Sequence, residues 1–127
     1  MLLPPLQHWT WQGEEGIFAV GYRQQSCENT GAPVLLVHGF GASSDHWRAN
    51  IAPLAEQQPV WALDLLGFGS SDKPRSRLVD ERQGPGSVRY CFDLWAQQVA
   101  DFACQVVQPQ KPLQLVGNSI GGIVALR

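Results

Sequence analysis

Residues Gly117-Asn118-Ser119-Ile120-Gly121-Gly122 have the types and spacing that covalent chemistry requires. An apolar run, Leu113 to Val116, precedes this Gly-x-Ser-x-Gly pattern, and a second, Ile123 to Leu126, follows it. Strand, sharp turn and helix in that order are the context of a nucleophile elbow. The turn leaves almost no room beside the serine, so Gly117 and Gly121 flank it, and Gly122 lets the following helix pack closely. Ser119 is then the candidate nucleophile. The amide of Ile120, at a helix N-terminus, is directed at any oxyanion formed on the substrate. Taken alone, the pentapeptide fits an ordinary strand-to-helix turn equally well. The upstream residues decide between the two.

Acyl transfer by serine also needs a base, a group that orients the base, and a second oxyanion donor. His38-Gly39-Phe40-Gly41 occupies the place of the second donor, in the loop after the third strand. Gly39 and Gly41 let the backbone swing inward and leave the Phe40 N–H free to face Ser119. His38 is a conceivable base, but its position on the donor side of the pocket favours a role in ordering this loop.

The elements that must carry these residues follow from periodicity. His8–Gln12 and Ile17–Arg23 alternate around Gly13-Glu14-Glu15-Gly16 and read as a hairpin, with Trp9 and Trp11 on one face. Pro33 to Gly39 is a Val/Leu run typical of a strand buried on both faces. A helix is expected over Asp45–Glu56, with Trp47, Ile51 and Leu54 on its inner stripe and Ser43 or Ser44 as its cap. Val60 to Leu65 forms the next strand, which completes a βαβ unit. Arg75–Arg89 reads as a mobile surface loop. Tyr90–Val107 reads as an amphipathic helix with Phe92, Trp95, Val99, Phe102 and Val106 stepping by three or four, and Cys104 packed on it. A hairpin followed by βα, βα and β-turn-α is the front of an open, mostly parallel α/β sheet.

Three motifs, in this order, resemble the α/β-hydrolase superfamily. They are His38-Gly39-Phe40-Gly41, Asp64-Leu65-Leu66-Gly67-Phe68-Gly69-Ser70-Ser71-Asp72-Lys73-Pro74, and Gly117 to Gly122. The middle one is similar to a segment of the branch that holds epoxide hydrolases, haloalkane dehalogenases and carbon–carbon bond hydrolases. The first two of those families use aspartate as nucleophile. Ser119 here implies attack on a carbonyl instead, in an ester or in a carbon–carbon bond substrate. The Gly-Asn-Ser-x-Gly-Gly form is similar to that of meta-cleavage-product and pheophytinase-like hydrolases, the latter suggesting a photosynthetic source. The implied fold is the N-terminal half of an α/β-hydrolase, incomplete, over residues 1–127. In that family the acid and the histidine follow the serine, whereas His8, His38 and His46 all precede Ser119. The acid, the base, the later strands and the cap are therefore expected outside these residues, and this stretch alone is expected to be nearly inactive. In the early motif, Asp64 and Asp72 are expected to form turns, with Asp72 bonding local amides.

Composition removes other classes. Nine basic and eleven acidic residues give a net charge of −2, without a nucleic-acid footprint. No apolar run reaches the roughly 18 residues of a membrane span. Cys27, Cys91 and Cys104 lack CxxC spacing and suggest reduced thiols in a cytoplasm-like compartment. The histidines lack ligand spacing, so neither metal nor cofactor is expected. The partner that the resemblance implies is a small-molecule ester or carbonyl compound. Two competing readings remain. One is a dinucleotide-binding module built on Gly39-Phe40-Gly41 with Asp64, weakened by Ser44 in place of the third glycine. The other is a non-catalytic ligand-binding protein that keeps the hydrolase fold.

Overall fold

The computed structural model describes residues 3–28, 31–77, 87–118 and 121–122. Strands β1 (Leu6–Gly13) and β2 (Gly16–Gln25) form a hairpin in unbroken antiparallel register, from Leu6 opposite Arg23 to Gly13 opposite Gly16. Both run further than alternation alone indicates. The end of β2 has a second neighbour, pairing antiparallel through Tyr22–Gln25 with β4 (Val60–Leu63), so ladder bonds extend it through the polar Gln24 and Gln25. Strand β3 (Val34–Val37) lies parallel between β4 and β7 (Gln114–Gly117), giving the order β1-β2-β4-β3-β7.

Every residue of β3 and β4 is buried, as expected for central strands covered on both faces. Alternate residues feed two cores. Leu35, Val37, Trp61 and Leu63 join Trp11, Val20, Trp95, Val99 and Phe102 on one face. Val34, Leu36, Val60 and Ala62 join Trp47 and Ile51 on the other. Burying each of the larger aliphatic side chains is worth about 1.5–3 kcal/mol.

The first crossover departs from a single helix over Asp45–Glu56. Ser44–Trp47 is a 3-10 turn, and α1 is only Ile51–Leu54. Pro53 explains the break. It has no N–H for the Ala49 carbonyl, and its ring would collide with that group in a continuous helix, whereas it is tolerated in a first turn. Trp47 and Ile51 still face the core, and Ser43 Oγ caps the turn by accepting from Asp45 N at 3.2 Å.

The Arg75–Arg89 segment is not wholly a surface loop. Its ends form two short parallel strands, β5 (Arg75–Ser76) and β6 (Ser87–Val88), and Val88 is fully buried. Residues 78–86 lie outside the described part of the chain. Helix α2 (Phe92–Phe102) widens into a π turn, Ala103–Val107, closed by Gln108 N donating to Ala103 O at 2.9 Å. The wider turn shifts the stripe by one residue, so Val107 is buried where α-helical spacing points to Val106. Cys104 is exposed rather than packed, because it follows Phe102 by two positions and so falls on the opposite side.

Candidate functional site

The C-terminal ends of β3, β4 and β7 lie side by side, with Val37 in register with both Leu63 and Gly117. Just beyond β7, Asn118 N donates to Val37 O at 3.1 Å, and Gly121 N donates to Asn118 O at 2.9 Å. The chain therefore turns sharply and returns against β3. A Cβ on Gly121 would lie 2.2 Å from the Val37 carbonyl oxygen and 2.5 Å from that of His38. One on Gly117 would lie 2.3 Å from the Gly121 oxygen, whereas one on Gly122 would come no closer than 3.5 Å to Gly117. Glycine is required at the first two positions by backbone-to-backbone contact. Ser119 and Ile120, the candidate nucleophile and oxyanion donor, lie outside the described residues.

His38 and the loop that follows it adjoin this turn. The imidazole is fully buried, with Nδ1 2.7 Å from the Gly39 carbonyl oxygen and Nε2 accepting from Leu65 N at 2.9 Å. A neutral ring protonated on Nδ1 satisfies both contacts, and burial lowers its pKa, favouring that form. With both nitrogens engaged, His38 braces the end of β3 against the end of β4 and has no nitrogen free to take a proton. Ala42 N donates to Gly39 O at 3.2 Å, closing a tight turn with Phe40 inside it and Gly41 at φ +75°. The Phe40 side chain is 74% exposed and stands edge-on to Phe68, their centroids 5.3 Å apart.

Asp64 organises the segment after β4. Its buried carboxylate accepts from Ser44 N at 2.6 Å, Ser70 N at 3.1 Å and Ser70 Oγ at 2.6 Å. Its backbone N donates to Gly21 O at 2.9 Å, and its carbonyl accepts from Ser71 Oγ at 2.6 Å. Gly69, at φ +56°, lies so close that a Cβ would sit 2.6 Å from the carboxylate carbon. Asp72 meets one local amide through its backbone, its carbonyl accepting from Gly67 N at 2.9 Å. It reaches back to the hairpin, where its Oδ2 accepts from Ala19 N and its own N–H donates to Ala19 O, both at 2.8 Å.

Sequence reasoning placed Trp95 on the buried stripe of α2 but missed its polar contact, and it missed Gln98 altogether. Gln98, fully buried, accepts from Leu66 N at 3.0 Å through Oε1 and donates to Asp64 O at 3.2 Å through Nε2. Trp95 Nε1 donates to Leu66 O at 3.0 Å. The signal was present, since Gln98 is a polar residue on the stripe of Trp95, Val99 and Phe102. The third histidine of interest, His46, has its Nε2 3.2 Å from Asn118 Nδ2. Among the described residues there is no group of three or more potential metal ligands, and no helix is long and apolar enough to cross a membrane.

The family model for the alpha/beta hydrolase fold matches residues 32–127. The chain is 32% identical to the chloroplastic pheophytinase of Arabidopsis thaliana, over 94% of this chain and 28% of that protein. It is 30% identical to a human 1-acylglycerol-3-phosphate O-acyltransferase, over 73% of this chain and 24% of the relative. A thermophilic esterase from Thermogutta terrifontis superposes with a TM-score of 0.74 at 25% identity, covering 94% of this chain and 39% of the esterase. The chain thus spans about a quarter to two fifths of the length of these relatives. With the glycine-dependent turn, the braced strand ends and the family match in agreement, the chain belongs to the α/β-hydrolase-fold family.

Proposed function

We propose that these residues supply the nucleophile side of a serine hydrolase site. Ser119 attacks the carbonyl carbon of an ester or related substrate, and the backbone N–H groups of Phe40 and Ile120 receive the negative charge that develops on the carbonyl oxygen. Collapse of the tetrahedral adduct expels the leaving group and leaves an acyl group on Ser119, which water then removes. The observation that carries this reading is the contact of Gly121 with the Val37 and His38 carbonyls. It brings the chain on either side of Ser119 against the start of the loop holding Phe40. The base and the acid that orients it are assigned to chain beyond these residues, since His38 is engaged at both nitrogens.

A second reading has an observation of its own. The human relative is named as an O-acyltransferase, so an alcohol in place of water would make the same acyl-serine a transfer intermediate. Both readings require Ser119. In the full-length protein, Ser119→Ala is expected to abolish labelling by a fluorophosphonate probe and to lower p-nitrophenyl ester turnover by about a thousandfold or more. Turnover that survives the substitution overturns the proposal. The 127-residue chain by itself is expected to show at most residual turnover.

A further inference from the structure

We propose that His46 is a positioning residue that holds the Asn118 side chain and, through it, the turn leading into Ser119. This rests on the reading of Ser119 as nucleophile. His46 lies 72 residues before Asn118, yet its Nε2 is 3.2 Å from Asn118 Nδ2. With the amide nitrogen facing the ring, Nδ2 donates to an imidazole that carries its proton on Nδ1.

The ring is offered from a fixed frame. Its turn, Ser44–Trp47, is held by Ser44 N on the Asp64 carboxylate at 2.6 Å and by Arg23 on Asp45 at 2.8 Å. The imidazole also stands edge-on to the buried Trp47, centroids 5.0 Å apart at 89°. The Asn118 backbone is already bonded in both directions, to Val37 O and from Gly121 N, so the side chain is its remaining freedom. Both His46 and Asn118 are exposed, and their contact buries no core surface. Losing it therefore costs the fold little, while leaving Asn118, which directly precedes the nucleophile, held by its two backbone bonds alone. Small displacements at a reacting atom are expensive in rate even when the scaffold is intact.

The test uses the full-length protein and a fluorophosphonate probe, whose phosphorus is attacked by the serine oxygen with loss of fluoride. His46→Phe is expected to lower the maximal labelling rate about three- to tenfold, the range of one net hydrogen bond, with probe affinity and melting temperature unchanged. His46→Gln, which restores a hydrogen-bonding group, is expected to recover most of the rate. Asn118→Ala should match His46→Phe, and the double variant should be no slower than either single one. The inference is overturned by an unchanged rate in His46→Phe, by losses that multiply in the double variant, or by changes confined to affinity and stability. Labelling that persists in Ser119→Ala would overturn the underlying reading instead.

Discussion

Burial at the end of β3 sets the protonation state of His38, and that state carries a pH signature. In the unfolded chain the imidazole titrates at about 6.5, whereas burial lowers the folded value below it. As pH falls below that of the unfolded group, the unfolded chain takes up the proton first. The stabilisation contributed by neutral His38 is therefore whole above about 6.5 and is lost as pH falls through the folded pKa. Protonated Nε2 would also confront the Leu65 N–H, donor against donor. The urea midpoint of the wild type is expected to fall on going from about pH 7.5 to about pH 5. His38→Gln should be less stable at the higher pH but show a shallower slope, and equal slopes would assign the pH dependence to other groups. The glycines act at the same scale by omission. At Gly121 even a methyl group would overlap the carbonyl oxygens of Val37 and His38.

Helix α2 supports the site without reaching it. Trp95 and Gln98 bond the backbone of Asp64 and Leu66, and Trp11 Nε1 on β1 donates to Asp101 at 2.8 Å, so one helix ties the hairpin to the loop after β4. Gln98→Leu keeps the apolar volume but strands the Leu66 N–H, a loss of about 1–3 kcal/mol for a buried donor left unpaired. Chemical denaturation should show that drop, and a midpoint unchanged from the wild type would refute it. The elements that sequence patterning renders well are those whose burial follows from composition. Continuous Val/Leu runs become β3 and β4, and alternation becomes the hairpin. The first crossover was legible too, had Pro53 been weighed against the helical stripe. The π turn had no such signal, because Ala103–Val107 carries no residue that demands a wider turn, although the turn ends on the buried Val107. At the site, the glycine spacing announced the close turn. Contacts between residues distant in sequence, such as Gln98 with Leu66 and His46 with Asn118, depend on the finished fold and were not readable.

Over the whole molecule, β7 is the last strand of the five-stranded sheet, and Leu115 and Val116 are 40% and 42% exposed on it. An apolar strand with an unpaired edge is a template for pairing with another chain. The 127-residue chain is expected to scatter light at rising concentration, and Leu115→Lys should suppress that association while leaving far-UV circular dichroism unchanged. Equal scattering by both forms would remove the edge as its cause. The middle of the sheet is bound quite differently. Asp64 joins Gly21, Ser44, Ser70, Ser71 and Gln98, which belong to separate stretches of the chain. None of these stretches can breathe without breaking a bond to the same residue. Their amides should therefore exchange with deuterium in one shared opening event, so that the hairpin, the crossover and the loop after β4 keep or lose their protection together.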